Sequence, residues 1–472
     1  MTRRMAVLGA LVISLTAAVA ADREQVDPDG TTPLHWAVRD GNLAEVRRLL
    51  RAGADAKAAN RYGSTPLSLA AEIGDAPTIE ALLAAGADAN GALSNGQTML
   101  MLAARSGNPA ALRALLTRGA NVNAREGVLG ENAVIWAAAA NHGEVVALLA
   151  AAGADVNARS LRLSYPETEW GDGKSGRFTV LPRGGWTPLM YAARQNARDA
   201  IRALIAARAD LDAVDPDGTT PLVLAVINAH YDAAALLLDA GANPNVADAH
   251  GMTPLYAAVD MHTLDETPGR PAPTQTDAID SLGLIARLLE KGANANARLT
   301  SPVLPRVHNP GDSVLGEGAT PLMRALRKAD SAATRVLLEH GADPALAMKG
   351  GVTAVMIAAG FGGQVRFAEY NPHSGTERDA ADCVQLALEH GARLDAVTDT
   401  GQTALHLAAA QRGVEFIGVL LQRGADPAAR DAQGRTPLDV AMGQGGGRGR
   451  PATARPDVAA LLRGLTTDTE KK

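Results

Sequence analysis

Apolar residues along this chain fall into short clusters at helical spacing, and the clusters come in pairs. Within residues 63–95, the run 67–71 predicts the apolar stripe of one helix, and Ile79, Leu82 and Leu83 predict that of a second. A glycine-containing break separates the two stripes, and a longer polar stretch follows the second. The pattern therefore predicts a unit made of a helix, a short turn, a second helix and an extended turn that projects sideways.

Residues at the ends of each stripe predict where the helices start and stop. Thr65 can cap the first helix with its hydroxyl, and Pro66 occupies the first helical position, where a missing N–H costs nothing. Gly74 breaks the chain between the two helices, and Gly86 supplies the left-handed residue that ends the second. Asn90 belongs to the turn that follows.

This unit returns along the chain in a phrase of glycine, one free position and Thr-Pro-Leu, about every 33 residues. A period of this size is typical of a stacked solenoid, in which each unit buries its apolar face against its neighbours. The sequence therefore predicts one continuous all-helical array. The phrase starts at Gly30, Gly63, Gly96, Gly185, Gly218, Gly251, Gly318, Gly401 and Gly434, with degenerate copies from Gly130 and Gly351.

The phrase resembles the ankyrin repeat. Residues 30–37 (Gly-Thr-Thr-Pro-Leu-His-Trp-Ala) and 401–408 (Gly-Gln-Thr-Ala-Leu-His-Leu-Ala) are similar to the family pattern Gly-x-Thr-Pro-Leu-His-x-Ala. The second half of the unit agrees at 49–55 and 420–426, which end in Gly-Ala-Asp. The resemblance covers residues 21–465 in about eleven copies. It implies an all-α ankyrin solenoid with β-turn fingers, and a protein that binds another protein and is not an enzyme.

One position of the phrase departs from the family pattern. The histidine that family members use to tie adjacent turns is present at His35 and His406. Two interpretations of its replacements by methionine are open: they fill the core, which we favour, or they form a pliable binding row. The methionines at this position are Met101, Met190, Met323 and Met356.

Composition and charge narrow the functional classes. The chain of 472 residues has a formal net charge of −6 with basic residues scattered through every copy, so nucleic acid is not an expected partner. Cys383, the only cysteine, lies in a helical stretch and is expected to be a small buried apolar group. The chain has no His-x-x-x-His, Cys-x-x-Cys or complete phosphate-loop motif. We therefore predict no catalytic residues, no metal and no cofactor.

The first twenty residues have the pattern of a secretory signal peptide. Arg3 and Arg4 precede an apolar run, and residues 18–20 form a small-x-small cleavage pattern. The apolar run is shorter than the roughly 20 residues that span a bilayer. We therefore expect cleavage near Ala20, a periplasmic or secreted monomer, and no membrane insertion after cleavage. Residues 466–472 are expected to form a polar tail.

Five insertions interrupt the period, and long additions to a repeat array are often functional. The first shows period-two alternation on both sides of an Asp-Gly turn and predicts a β-hairpin. It places Tyr165, Trp170 and Phe178 near Trp186, in a chain with only 3% aromatic residues. Two interpretations are open: these rings anchor a partner, or they pack back onto the stack. The insertions are 161–184, 261–276, 299–317, 362–378 and 443–455.

The family resemblance implies that a partner binds through the sideways turns and the exposed positions of each first helix. We therefore predict an exported scaffold or regulator that binds a protein of unknown identity. Two alternatives remain open: a small-ligand or peptide receptor formed by the inserted loops, and an immunity or enzyme-regulating protein. The predicted partner-binding residues are Tyr165, Trp170, Phe178, Trp186, Arg105, Arg194, Gln195, Asn228, Arg327 and Lys328.

Overall fold

The structure is nearly all helical. Across the described residues, the computed structural model contains twenty-two α-helices and one two-stranded sheet. The helices follow one another in eleven pairs, which we number repeats 1 to 11, so the predicted all-α repeat fold is confirmed. The described residues are 25–163, 184–263, 277–303, 312, 314–363, 375–444 and 454–469.

The helices divide into two compact units. The N-terminal unit contains repeats 1–5, in described residues 25–163 and 184–213, and the C-terminal unit contains repeats 6–11, in the described residues from Val214 onward. The spacing from Gly185 to Gly218 across this boundary equals that from Gly30 to Gly63. The periodicity alone therefore does not reveal the division.

In the N-terminal unit, the first helices of successive repeats pack side by side, and so do the second helices. Its ten helices are α1 (Pro33–Arg39), α2 (Leu43–Arg51), α3 (Pro66–Ile73), α4 (Ala76–Ala84), α5 (Met99–Ser106), α6 (Pro109–Thr117), α7 (Ala133–Ala139), α8 (Gly143–Ala151), α9 (Pro188–Arg194) and α10 (Arg198–Ala206).

The C-terminal unit repeats the same arrangement. Its helices are α11 (Pro221–Ile227), α12 (Tyr231–Asp239), α13 (Pro254–His262), α14 (Ser281–Glu290), α15 (Pro321–Arg327), α16 (Ser331–Glu339), α17 (Ala354–Ala358), α18 (Glu377–Glu389), α19 (Ala404–Gln411), α20 (Val414–Gln422), α21 (Pro437–Ala441) and α22 (Pro456–Thr469). Strands β1 (Ala347–Met348) and β2 (Val352–Thr353) pair antiparallel, with Ala347 opposite Thr353, in the finger before α17.

The threonine of the phrase caps the first helix, as predicted. Thr65 Oγ1 accepts a hydrogen bond from the Ser68 N–H at 3.1 Å, and Pro66 is the first residue of α3. In repeat 3 the Met101 sulfur accepts the N–H of Thr98 at 3.5 Å, which is the role of the histidine nitrogen in repeat 1. The core interpretation of the four methionines is confirmed, because each is at most 1% exposed.

Polar side chains tie each repeat to the next. His35 Nδ1 accepts the Thr32 N–H at 3.1 Å, and Nε2 donates to the Ser64 carbonyl of the next finger at 3.0 Å. Asn90 donates to the Gly119 carbonyl at 3.0 Å and accepts an N–H of the same turn at 2.7 Å. The same two-bond bridge is formed by Asn123, Asn245 and Asn296.

The structure changes several predicted boundaries. Helix α13 continues to His262, which lies inside the predicted insertion 261–276, and α18 begins at Glu377, before the predicted end of the insertion 362–378. Helix α22 extends to Thr469, so the segment predicted as a polar tail from residue 466 begins as helix. These insertions have no threonine-proline or glycine signal at the exact residue where the helix ends, and helix ends are the part of an element that a sequence pattern locates least well.

Only the base of the first insertion lies within the described residues. Arg162 and Gly184 form an antiparallel bridge, and the Gly185 N–H donates to the Leu161 carbonyl at 3.1 Å. The chain thus enters and leaves the insertion as two antiparallel segments. The predicted hairpin itself falls in residues 164–183, outside the described residues.

Candidate partner-binding surface

The predicted partner-binding residues of the N-terminal unit have different environments. Arg105, Arg194 and Gln195 are exposed at the C-terminal ends of first helices. Trp186 is only 5% exposed, so its prediction as an exposed anchor is wrong. Its ring meets the Tyr191 ring edge-on at 5.4 Å, and Arg194 lies over it at 5.2 Å. Tyr165, Trp170 and Phe178 lie outside the described residues.

The predicted residues of the C-terminal unit are largely engaged within the protein. Asn228 is half-buried and donates from its side-chain amide to the Leu224 carbonyl at 2.8 Å. The prediction that Arg327 and Lys328 are exposed is wrong. The Arg327 side chain is only 7% exposed, and Lys328 as a whole residue is 6% exposed. Arg327 donates to the Phe361 carbonyl at 3.0 Å, so the next repeat covers it.

The N-terminal unit carries a pocket on its first helices. Its volume is about 340 Å³, and its walls come from three consecutive repeats, 3 to 5. The lining is mostly apolar. It includes the rings of Trp136 and Tyr191, which lie at the same helix position, six residues after the glycine of the phrase. We call this the Trp136 pocket; its lining residues are Arg105, Glu131, Ile135, Trp136, Ala139, Ala140 and Tyr191.

The pocket exists because repeat 4 has small residues where its neighbours have long ones. Ala139 occupies the helix position that Arg105 holds in repeat 3 and Arg194 holds in repeat 5. The next position, Ala140, is likewise small and exposed. A gap one repeat wide is therefore left between two exposed arginines.

Polar groups mark two sides of the pocket. On one side, the Arg105 guanidinium lies 5.2 Å over the Trp136 ring and donates to Glu72 Oε1 at 2.8 Å. On the other, the Tyr191 hydroxyl hydrogen-bonds with Glu131 and Ser160. Burial raises the pKa of Tyr191 well above its ordinary value, and the Glu131 carboxylate raises it further. The hydroxyl therefore stays protonated and serves as a donor to Glu131.

The Trp136 indole N–H is buried and has no hydrogen-bond partner among the described residues, whereas Trp36 at the same position of repeat 1 donates to Asp27 at 2.9 Å. The finger of repeat 4 is one residue longer, which places Glu126 at the position of Asp27. The Glu126 carboxylate turns instead to the longer loop and accepts the N–H groups of residues 128, 129 and 131 at 2.6, 2.6 and 3.0 Å. The extra residue thus removes the acceptor that the indole would otherwise have.

The finger of repeat 4 also carries part of an exposed apolar patch. Val128 is 61% exposed, Leu129 37% and Leu161 48%. Leu161 is held beside Leu129 because its N–H donates to the Leu129 carbonyl at 2.6 Å. We call these three residues the finger patch. Glu131, which lines the pocket, follows Leu129 by two residues in the chain.

The C-terminal unit contains a buried ionic cluster. Arg324 Nε donates to Asp260 Oδ1 at 2.6 Å, and Arg327 Nε donates to Asp312 Oδ2 at 3.2 Å. Burial alone would raise the pKa of the Asp312 carboxyl, but Arg327 and Arg324 outweigh it and hold that pKa below its ordinary value. Since Asp312 belongs to the insertion 299–317, the cluster fastens this insertion to the first helices of repeats 7 and 8.

A serine, a histidine and an aspartate also meet in the interior of this unit. His262 Nδ1 lies 2.7 Å from Ser281 Oγ, and its Nε2 lies 3.0 Å from Asp330 Oδ2, in contact but without the alignment of a hydrogen bond. The residues resemble a nucleophile, a base and an acid, but Ser281 is only 4% exposed, and Tyr231 also hydrogen-bonds to it. A substrate cannot reach this hydroxyl, so the group is an interior hydrogen-bond network.

The described parts of the chain offer little other chemistry. Cys383 is fully buried, and burial raises the pKa of its thiol to about 12, which is the inert apolar role predicted for it. Over the described ranges, histidine, cysteine and acidic side chains do not gather into a group that could hold a metal ion. Within the same ranges, every helix is too short or too polar to span a bilayer.

Sequence reasoning identified Arg105 but missed the rest of the Trp136 pocket. A position-by-position comparison of the copies could have found it. Aromatic residues recur in one helix position, at Trp36, Trp136 and Tyr191, and alanine replaces a charged residue at Ala139.

Comparison with known proteins identifies the family. The sequence model of the family described as "Ankyrin repeats (3 copies)" matches residues 5–92, 67–160, 189–265 and 373–462, together more than half of the chain. The crystal structure of the human ASB11 ankyrin repeat domain is similar, with 22% sequence identity and a TM-score of 0.41, over 56% of this chain and 99% of that one.

Curated relatives match over short segments. A segment of 124 residues is 36% identical to the Neurogenic locus notch homolog protein 1 of Danio rerio and covers 26% of this chain and 5% of that protein. A segment of 125 residues is 32% identical to the B-cell lymphoma 3 protein homolog of Mus musculus and covers 26% of this chain and 24% of that protein. The chain thus spans a small part of the length of these relatives. The repeat phrase, the helix pairs and the family match agree: the chain belongs to the ankyrin repeat family.

Proposed function

We propose that this protein is an exported scaffold or regulator whose N-terminal unit binds another protein through the Trp136 pocket and the finger patch. Ankyrin repeats generally form protein–protein interaction domains. The observation that carries the proposal is a largely apolar pocket lined by the exposed Arg105, in a unit whose repeat 4 finger also exposes the apolar finger patch. Apolar anchor sites with polar rims are characteristic of protein interfaces.

The contrast between the two units supports this choice of surface. The arginine and lysine at the end of helix α15 are buried by internal contacts, whereas Arg105 of helix α5 and Arg194 and Gln195 at the end of helix α9 are exposed. Export rests on the signal-peptide pattern of the first twenty residues.

Site-specific photo-crosslinking tests the binding proposal. A photoreactive phenylalanine analogue placed at Ala140, in the pocket, should give one dominant adduct with another protein in a bacterial host. The same analogue at Ala84, which is exposed at the end of a second helix, is the matched control. An equal adduct pattern from both positions, or none from Ala140, would contradict the proposal.

Intact mass measurement tests export separately. The protein recovered from the periplasm or medium should have lost about its first twenty residues. Recovery of only the full-length chain from the cytoplasm would contradict export without bearing on partner binding.

A further inference from the structure

We infer that the Trp136 pocket binds a large apolar side chain of a partner segment, with an acidic group beside it that pairs with Arg105. This inference rests on the proposed function and specifies the chemistry of the partner. It follows from the pocket walls, from the charges at its rim and from the position of Arg105.

The walls favour an apolar anchor. Ile135, Ala139, Ala140 and the two aromatic rings form most of the lining. Burying an aromatic or aliphatic side chain against them removes apolar surface from water on both sides. Since Ala139 stands where the neighbouring repeats have an arginine, the space left there has the dimensions of a large side chain.

The rim favours an anion over a cation next to this anchor. Arg105 already lies over the Trp136 ring, so a cation from the partner would compete with it for that position. The Glu131 carboxylate is engaged by the Tyr191 hydroxyl. We therefore expect a carboxylate of the partner to bind at this rim more strongly than a cation.

Arg105 remains available to such a carboxylate. Its bond to Glu72 uses one terminal nitrogen, and the two side chains are 47% and 55% exposed. An exposed pair of this kind is weak and exchanges readily with a competing carboxylate. The guanidinium can therefore hold a partner acid while it still covers the indole.

Fluorine NMR of the full chain tests this inference. The chain has four tryptophans, so 5-fluorotryptophan labelling gives four signals, and Trp136→Phe assigns the one from the pocket. The probes are N-acetyl-L-phenylalanine, its neutral amide, and N-acetyl-L-arginine amide. We expect N-acetyl-L-phenylalanine to shift the Trp136 signal saturably, the phenylalanine amide to bind about threefold more weakly, and the arginine amide to bind most weakly. The signal of Trp36, at the same position of repeat 1, should not move.

Two substitutions sharpen the result. Ala139→Arg restores the side chain of the neighbouring repeats and should abolish the Trp136 shift, while Ala410→Arg, at the same position of repeat 10, should leave it intact. Arg105→Gln should equalise the affinities of the acid and the amide. Unchanged signals from the other tryptophans and unchanged circular dichroism show that each variant is folded.

Several results would overturn the inference. They are no saturable shift with either phenylalanine probe, a larger effect from the arginine probe, or a shift that survives Ala139→Arg. If Ala139→Arg abolishes probe binding but the crosslink from Ala140 persists unchanged, a partner still binds at this surface, but its side chain does not fill the pocket, and this inference is wrong. If the wild-type crosslink fails while the probes bind as expected, the proposed function is wrong.

Discussion

Replacing one member of the Arg324–Asp260 pair should destabilise the C-terminal unit far more than replacing both. The Arg324 side chain is 5% exposed and that of Asp260 is 10% exposed, with Nε and Oδ1 2.6 Å apart. Asp260→Leu leaves the guanidinium in the interior, with Asp312 3.9 Å from Nη1. Arg324→Met leaves the Asp260 carboxylate there instead.

The buried environment sets the size of the effect. Removing one partner of a buried pair costs about 3–5 kcal/mol, because the other charge is left in a medium that solvates it poorly. We expect about 3 kcal/mol for Asp260→Leu, since Asp312 still attracts Arg324, and about 4 kcal/mol for Arg324→Met. The double variant should lie within about 1 kcal/mol of the native protein, because apolar residues often replace a buried pair without loss. Within the part of the chain that the structure describes, Arg324 Nη1 already has no hydrogen-bond partner, which favours this outcome.

The assay is a double-mutant cycle measured in the full chain. Repeat arrays can lose structure locally, so native-state hydrogen exchange of peptides from helices α13 and α15 is measured beside urea unfolding. The expected coupling is about 6 kcal/mol between the two sites, and even half of that would support the argument. If the two single losses simply add in the double variant, buried charge is not the source of the effect.

The remaining predictions concern five individual residues. Arg208 is exposed and has a φ of 60°, at a position where almost all of the other repeats have glycine. Arg208→Gly should therefore raise the unfolding free energy by about 0.5–1 kcal/mol. Gly153, at the same position of repeat 4, has a φ of 88°, so Gly153→Ala should lower the unfolding free energy by about 1 kcal/mol; thermal melts measure both changes. Glu126→Gln should cost about 1–2 kcal/mol and speed hydrogen exchange in residues 126–131, because it weakens the acceptor for three N–H groups; unchanged protection there would refute this role. Asn123→Ala removes two bonds between repeats and should lower stability by about 1–2 kcal/mol, seen as a lower urea midpoint. The pKa of the Asp312 carboxyl is lower in the folded protein than its ordinary value of 3.8, so its stabilisation of the fold is fully present above pH 3.8 and is lost as the pH falls through the folded-state pKa. The Asp312→Asn variant should lack this pH-dependent part of the stability in acid unfolding. An acid-unfolding profile identical to that of the native protein would contradict this role.

Local sequence determined the helices and their order. Threonine caps, proline at the first helical position and glycine at the ends act within a few residues, so the boundaries around Thr65 and Gly74 could be predicted without knowing any neighbour. The fixed spacing of the phrase then implied a row of identical units. The internal role of Cys383 followed from its place on a helical stripe.

Tertiary structure decided which side chains face the solvent. Arg327 and Arg105 occupy the same position on their helices. Arg327 is bound by the Asp312 carboxylate and the Phe361 carbonyl, whereas Arg105 is exposed. The Trp136 pocket likewise needs side chains from three consecutive repeats, which no single helix sequence contains. A helix's own sequence specifies its stripe and its caps, but the exposure of a residue depends on what the next repeat and the insertions place over it.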